Sequence, residues 1–289
     1  MSQTFEIRSR RPLPAGHQVA GFWVRRWQGC AVMGIVNTTP DSFSDGGQFP
    51  TDDAAVAHAR RLVSEGAIVV DVGGESTRPG GQPVPMDEEL RRVLPVIKAL
   101  AADGNVIISI DTYKSAVAAA AILAGAHVVN DVSGLGDPAM AATCAELGVP
   151  IVIMHMKGTP ATMQHNPVYD DVVAEVSTHL LERAAVAVRA GVPSVIVDPG
   201  IGFGKTLDHN RVLLRSLPIH GPFPTMVGAS RKRSIGEWSG VSDPALRDPG
   251  SLAVHLDAAR RGVAMVRVLD VGGHVQALAV QSALLQSEP

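Results

Sequence analysis

Short apolar runs alternate with longer amphipathic segments from residue 31 almost to the end of the chain. The runs are rich in Val and Ile, and they span residues 31–36, 67–72, 106–110, 127–130, 150–154, 194–197, 225–227 and 263–268. A short continuous apolar run between helical segments is typical of a parallel strand that is buried on both faces. The pattern therefore predicts eight parallel strands.

The segments between the runs are alanine-rich and predict helices at residues 53–65, 88–101, 114–124, 138–147, 172–190, 210–217, 250–261 and 270–285. Glycine follows six of them, as expected for left-handed helix caps, at positions 66, 104, 125, 148, 191 and 262. Eight strand–helix repeats favour a closed (β/α)8 TIM barrel of the α/β class over an open doubly wound sheet. We expect a single domain, in which residues 31–289 form the barrel. Residues 1–30 form an N-terminal extension, expected as a hairpin at the barrel bottom.

Composition excludes several classes of protein. Hydrophobic residues make up 46% of the 289 residues, enough for a large core, and the net charge of −3 without blocks of like charge argues against a nucleic-acid surface. Cys30 and Cys144 cannot build a disulfide framework or a four-ligand zinc site, so we interpret them as small core residues. No run approaches the roughly 20 apolar residues of a membrane span, and the first 30 residues do not resemble a signal peptide. We therefore expect a cytoplasmic location, with no membrane partner.

A polar side chain stands at the end of each apolar run or in the loop just after it. These residues are Asn37, Asp71, Asp111, Asn130, His155, Asp198, Lys232 and Arg267. One such Asp is typical of a helix N-cap, but a barrel gathers its chemistry at the carboxyl ends of the strands, so the whole series predicts one cavity. Buried Asp and Asn need hydrogen-bond partners, which a heterocycle with adjacent N–H donors and a carbonyl would provide. Lys232 and Arg267 suit an anionic group at one end of that ligand.

Two long loops, residues 38–47 and 73–81, mix glycine with polar groups and are typical of segments that close over a site. Residues 200–206 look like a nucleotide P-loop, but Pro199 stands where that motif requires glycine, so we do not expect ATP. The ten histidines are scattered, which argues against a catalytic zinc.

Several motifs in a fixed order identify a family. They span residues 33–47, 71–80, 109–112, 130–134, 154–156, 198–205, 228–232 and 267–268. In this combination, and over roughly residues 32–280, the chain resembles the dihydropteroate synthase family. The resemblance implies a pterin-binding barrel that joins 6-hydroxymethyl-7,8-dihydropterin pyrophosphate to p-aminobenzoate. The products are 7,8-dihydropteroate, for folate biosynthesis, and pyrophosphate, and sulfonamides compete for the p-aminobenzoate site.

The resemblance also implies roles for individual residues. The catalytic set is Asp45, Lys232, Arg267 and Asn37, with Asp45 stabilising positive charge on the pterin methylene. The pterin ring is assigned to Asp111, Asn130, Asp198 and Lys232. The p-aminobenzoate or sulfonamide pocket is assigned to Phe43, Thr77, Arg78, Pro79 and Ser230. Pyrophosphate is assigned to Asn37, Arg78 and Arg267, and a Mg²⁺ cofactor to Asn37 and Asp41. A homodimer is implied as well, and the alanine-rich segments 251–261 and 275–285 are suited to pairing across a two-fold axis.

One position departs from the family pattern. Residues 267–270 read Arg-Val-Leu-Asp, where the family usually has Arg-Val-His-Asp. Losing one charge-assisted contact predicts pyrophosphate binding weaker by about 1–2 kcal/mol, unless a water molecule or His274 fills the gap.

Two other readings stay open. A non-catalytic pterin-binding homologue is supported by Leu269 alone. A methyltetrahydrofolate-dependent methyltransferase would share the barrel and the Asp and Asn ligands, but it would not need Phe43, Asp45 or Pro79. The absence of a Ser-His-Asp or Cys-His set suits the synthase, because an arylamine attacking a cation needs no strong base.

Overall fold

The computed structural model describes residues 3–39, 52–77, 81–219 and 221–285. The chain begins with three strands, β1 (Thr4–Ser9), β2 (His17–Val19) and β3 (Phe22–Gln28). Eight further strands follow: β4 (Ala31–Asn37), β5 (Val69–Gly73), β6 (Ile107–Asp111), β7 (Val128–Asp131), β8 (Ile151–Met154), β9 (Val195–Asp198), β10 (Met226–Val227) and β11 (Met265–Val268). These eight form one parallel sheet in the order β10-β11-β4-β5-β6-β7-β8-β9. A parallel bridge between Val197 and Thr225 connects its two ends. The predicted (β/α)8 TIM barrel is confirmed.

Helices flank the sheet. They are α1 (Asp52–Ser64), α2 (Met86–Asp103), α3 (Ser115–Leu123), α4 (Met140–Leu147), α5 (Val172–Ala190), α6 (Leu207–Arg215), α7 (Arg233–Ser239), α8 (Asp248–Arg260) and α9 (Val271–Leu285). The sequence did not predict α7. This helix has seven residues, of which three consecutive ones, 234–236, are buried, so its apolar positions show no helical period. Within the described part of the chain, no helix has both the length and the apolar character needed to cross a bilayer.

The N-terminal segment is a three-stranded antiparallel sheet in the order β1-β3-β2, one strand more than the hairpin expected from sequence. Its apolar residues Ile7, Leu13 and Trp27 share a core cluster with Met33 and other residues of the barrel interior. The indole Nε1 of Trp27 donates a hydrogen bond to the carbonyl of Ala264, just before β11, over 3.0 Å. The sheet therefore covers the amino-terminal end of the barrel, opposite the strand ends that carry the polar residues.

Both cysteines are free thiols, Cys144 buried and Cys30 half-buried and packed against the core. Burial raises the pKa of each thiol to about 12. Neither side chain forms a reactive thiolate near neutral pH.

Candidate active site

A network of ion pairs and hydrogen bonds lies toward the carboxyl ends of four strands. The guanidinium of Arg267, on β11, donates from Nε to Oδ2 of Asp71 over 2.6 Å and from Nη2 to Oδ2 of Asp111 over 2.7 Å. The amide Nδ2 of Asn130, on β7, donates to the same oxygen of Asp71 over 2.9 Å. Both carboxylates and the amide are buried. Barrel closure thus brings residues from β5, β6, β7 and β11 into one polar cluster.

The carboxylates of this cluster have more acceptor oxygens than the neighbouring side chains have donors for. Two buried carboxylates share one guanidinium, and Oδ1 of Asp71 and Oδ1 of Asp111 have no hydrogen-bond partner among the described residues. Burial raises the pKa of Asp111 to about 7, against the opposing charge of Arg267 and with a further rise from Asp71. An unsatisfied buried acceptor costs about 1–3 kcal/mol. The arrangement therefore suits a ligand that brings N–H donors.

Asp71 belongs to this site, as its place in the series of strand-end residues predicted, although the sequence assigned it no catalytic or binding role. It accepts hydrogen bonds from both Arg267 and Asn130. The signal was present, because Asp71 ends the second apolar run as Asp111 ends the third.

Asp198 ends β9 and is buried. Its Oδ1 accepts the backbone N–H of Gly200 over 2.7 Å. Gly200 has a φ of +66°, and a Cβ atom there would lie 1.9 Å from the carbonyl oxygen of His155, so the turn requires glycine. Burial raises the pKa of Asp198, and the nearby charge of Lys232 opposes that rise.

Lys232 approaches the cluster from the loop after β10. Its Nζ donates to the carbonyl of Ile201 over 2.5 Å and lies 4.4 Å from the ring centre of Phe203. Burial lowers the pKa of Lys232 to about 8, although the charges of Asp198 and Asp111 favour its protonated form. The side chain is therefore a cation that proton loss can neutralise at mildly alkaline pH.

The backbone just before Lys232 is held in a strained conformation. Arg231 has a φ of +54°, in the left-handed region that residues other than glycine seldom adopt. Its backbone N–H donates to Oγ of Ser251 over 2.9 Å, and its guanidinium pairs with Asp248 at 2.6 and 2.7 Å. Ser230 accepts the backbone N–H of Leu269 at its Oγ over 3.2 Å. These contacts tie the loop after β10 to α8 and to the residue that follows β11.

Two buried histidines extend this connection. The backbone N–H of Ala229 donates to Nε2 of His255 over 3.0 Å, so His255 carries its proton on Nδ1. That proton is donated to Nε2 of His274 over 2.8 Å, and His274 donates from Nδ1 to the carbonyl of Asp270 over 2.6 Å. Because both ring nitrogens of His274 are used, it does not fill the gap beside Leu269, and that alternative from the sequence is wrong.

The histidine pair predicts loss of stability in acid. Burial lowers the pKa of both His255 and His274, so below about pH 6.5 the unfolded chain takes up protons that the folded chain does not. The free energy of unfolding is expected to fall from pH 7 to pH 5, by up to about 1.4 kcal/mol per pH unit for each histidine. Urea unfolding at several pH values measures this slope. His274→Gln should reduce it, whereas His17→Gln, at an exposed position, should not; equal slopes in all three proteins would contradict the assignment.

A second network holds the loop after β5. The ammonium of Lys114 donates to Glu75 over 2.6 Å, to Glu89 over 2.5 Å and to the carbonyl of Val84 over 2.7 Å. Glu75 also accepts from the hydroxyl of Tyr113 over 2.7 Å and from the backbone N–H of Val84 over 3.1 Å. One lysine therefore secures both flanks of this loop.

Lys114→Met is expected to lower the free energy of unfolding by about 3 kcal/mol, because it leaves two buried carboxylates without their cation. The side chains of Glu75 and Glu89 are only 8% and 1% exposed. Arg91→Met is the matched control, since it removes a cation paired with a half-exposed glutamate on the surface of α2 and should change stability little. Equal losses in the two variants would contradict the role given to Lys114.

Five predicted site residues, Asp41, Phe43, Asp45, Arg78 and Pro79, lie outside the described residues. Thr77 is half-buried at the end of a described segment. Asn37 is half-buried at the end of β4 and lines a cavity of about 520 Å³ together with Arg61, Arg231 and Leu269. In the described ranges, no three His, Cys, Asp or Glu side chains are placed to hold a metal ion.

Comparison with known proteins is consistent with this geometry. Residues 33–269 match the family model described as pterin binding enzyme. The dihydropteroate synthase of Escherichia coli K12 is 46% identical over 261 residues, which cover 89% of this chain and 92% of that protein.

Solved structures agree. The Xanthomonas albilineans dihydropteroate synthase with 4-aminobenzoic acid superposes with a TM-score of 0.87 at 46% identity, covering 98% of this chain and 100% of the other. The same organism's enzyme in complex with 7,8-dihydropteroate gives a TM-score of 0.81 at 46% identity, covering 90% of this chain and 95% of the other.

Proposed function

The chain belongs to the pterin-binding enzyme family, and from that membership we propose how its site residues divide the work of catalysis. It acts as a dihydropteroate synthase, a transferase of folate synthesis. The reaction condenses 6-hydroxymethyl-7,8-dihydropterin pyrophosphate with p-aminobenzoate, and it yields 7,8-dihydropteroate and pyrophosphate.

The observation that carries the assignment of the pterin site is the pair of unsatisfied oxygens on Asp71 and Asp111. A pterin presents ring N–H and amino donors on one side and a carbonyl acceptor beside them. We propose that Asp111, Asn130 and Asp198 accept from and orient these donors, and that Lys232 donates to an acceptor of the ring. The proposed contact to Oδ1 of Asp111 gives a hydrogen-bond partner to a buried oxygen that has none among the described residues.

The site stabilises charge rather than supplying a strong base. The bond from the pterin methylene carbon to the pyrophosphate oxygen breaks, and its electron pair leaves with pyrophosphate. The resulting pterin cation is delocalised over the ring, close to the buried carboxylates of Asp71 and Asp111. The amine nitrogen of p-aminobenzoate then bonds to the methylene carbon and loses a proton. We propose that Asp45 also faces the cation, and that Arg267 and Asn37 bind the departing pyrophosphate with Arg78.

The described residues near Asn37 offer Mg²⁺ few of the oxygen ligands that it usually binds. The described lining of the cavity beside Asn37 contains no carboxylate, although Mg²⁺ in such sites usually binds one or two carboxylates together with substrate phosphates. Asn37 offers one amide oxygen, and the proposed partner Asp41 lies outside the described residues. A bound Mg²⁺ would stabilise the charge of the leaving pyrophosphate.

The p-aminobenzoate pocket predicts inhibition by sulfonamides. We propose that Phe43, Thr77, Arg78, Pro79 and Ser230 form this pocket beside the methylene. A sulfonamide has the shape of the arylamine, so it should raise the KM for p-aminobenzoate without lowering kcat. Initial rates at several concentrations of both compounds test this, and purely noncompetitive inhibition would contradict the placement.

Pyrophosphate release from the pterin substrate, with Mg²⁺ present and with or without p-aminobenzoate, tests the function directly. We expect release that depends on the arylamine and equals the dihydropteroate formed. Pterin binding by calorimetry without any release would instead indicate a non-catalytic homologue, and the roles of Asp45 and Arg267 would be withdrawn.

The outer face of α9 carries exposed apolar residues. We propose a homodimer through α8 and α9, because Val280, Leu284 and Leu285 of α9 are exposed apolar residues and α8 packs against α9. Sedimentation equilibrium of the wild type and of Leu284→Lys measures this. We propose the cytoplasm as the location, where the free thiols of Cys30 and Cys144 would persist.

A further inference from the structure

The cavity beside Asn37 is lined by two arginines, Arg61 and Arg231, that have no role in the proposed reaction. It has a volume of about 520 Å³, and its described lining is Ile35, Asn37, Ala57, His58, Arg61, Arg231 and Leu269. The strands β10, β11 and β4 are neighbours in the sheet, so the cavity lies where the loop after β10, the end of β11 and the end of β4 meet. Its described walls contain two guanidinium groups and no carboxylate, which suits an anion.

The two arginines nearest the strand ends are already paired. Arg267 directs Nε and Nη2 at Asp71 and Asp111. Arg231 directs Nε and Nη2 at Asp248, in the two-pronged geometry that arginine forms with a carboxylate. A dianionic or trianionic leaving group would have to compete with those carboxylates for both side chains.

Arg61, on α1, has much weaker countercharge. Its Nη2 contacts Nδ1 of His58 at 3.0 Å, and its Nε lies 3.7 Å from a carboxylate oxygen of Glu65. Burial, followed by the charge of Arg61, lowers the pKa of His58, so the imidazole stays neutral and offers no negative charge. The side chain of Arg61 is 63% exposed, which leaves its donors accessible from the cavity.

We propose that Arg61 binds the pyrophosphate group of the pterin substrate, as a specificity-determining residue for that substrate. This inference rests on the proposed function. It places a cation that binds pyrophosphate on helix α1, whereas the residue after β11, Leu269, is apolar. Arginine matches phosphate oxygens with paired N–H donors, and Asn37 lies in the same cavity as a neutral partner. The weaker binding that Leu269 alone predicts is then offset by Arg61.

Arg61→Leu is expected to raise the KM for the pterin pyrophosphate about tenfold, with little change in kcat or in the KM for p-aminobenzoate. Calorimetry with inorganic pyrophosphate should show a similar loss of affinity, whereas 6-hydroxymethyl-7,8-dihydropterin, which lacks the pyrophosphate, should bind as in the wild type. Arg60→Leu is the matched control. It removes the same charge from the adjacent position of α1, where the side chain is 56% exposed, pairs with Asp103 at 2.8 Å and does not line the cavity.

Leu269→His in the Arg61→Leu background tests whether a histidine at position 269 can replace the pyrophosphate contact that Arg61 is proposed to make. Recovery of pyrophosphate affinity there, larger than the gain from Leu269→His in the wild type, would support the proposal. Unchanged affinity in Arg61→Leu, or equal losses in Arg60→Leu and Arg61→Leu, would overturn it. Pyrophosphate affinity is measured without turnover, so a wild-type chain that forms no dihydropteroate would overturn the proposed function separately.

Discussion

Replacing Arg267 with glutamine is expected to lower kcat/KM for the pterin substrate by about a thousandfold and the free energy of unfolding by about 3–5 kcal/mol. Arg267 is the cation that pairs with both Asp71 and Asp111, and glutamine leaves these buried carboxylates without their countercharge. It also removes a cation proposed to bind the leaving pyrophosphate. Steady-state kinetics and urea unfolding measure the two effects.

Combining Arg267→Gln with Asp71→Asn separates the two losses. Removing one of the carboxylate charges should recover part of the stability, but it should not recover activity, because the cation is still absent. Recovery of both together would mean that Arg267 acts only through stability. An Arg267→Gln variant with wild-type stability would contradict the charge balance described for the cluster.

Asp198→Asn is expected to raise the KM for the pterin substrate by about a hundredfold, with little loss of stability. The amide oxygen can still accept the N–H of Gly200, as Oδ1 of Asp198 does now over 2.7 Å. The other oxygen becomes an NH₂ group, which would face a ring donor with another donor. Stability should be nearly unchanged, because a neutral amide is less costly to bury than a carboxylate. Substrate titration at fixed p-aminobenzoate measures the effect.

Asp131→Asn is the control for this substitution. Asp131 is also buried at a strand end, but its oxygens accept the backbone N–H and the hydroxyl of Ser133, at 2.8 and 2.6 Å, and the backbone N–H of Leu135, at 2.8 Å. We expect this variant to lose stability while keeping the KM for pterin. The same rise in KM in both variants would show that any polar change at the strand ends disturbs the site, and Asp198 would lose its specific role.

The sequence predicted the barrel well because each strand is a short apolar run with few alternatives. The run at residues 31–36 became Ala31–Asn37, and the run at 263–268 became Met265–Val268. The helix predicted at 210–217 begins earlier, at Leu207, because Thr206 caps it through a reciprocal pair with His209. That pair has histidine where a capping box usually has Glu or Gln, so the start signal was not recognised.

The site was only partly predictable. Asp111, Asn130 and Arg267 could be found because the carboxyl end of a strand is visible in the sequence as the end of an apolar run. Their pairing could not be found, because Arg267 and Asp71 are 196 residues apart and meet only when the barrel closes. Arg61 gave no signal either, since one arginine on an amphipathic helix is ordinarily a solvated surface residue.

Among the described strands of the barrel, β9 and β10 have the shortest backbone pairing. Strand β10 has two residues, and in the described part of the chain one isolated bridge joins Val197 of β9 to Thr225, the residue just before β10. Asp198 follows Val197 directly, and Lys232 lies on the loop that leaves β10, so the proposed pterin contacts fall on both sides of this seam. A substrate bound by both Asp198 and Lys232 would hold β9 and β10 together. Opening of the seam and release of the substrate are then coupled, and the amides of β9 and β10 should exchange more slowly with solvent when pterin is bound.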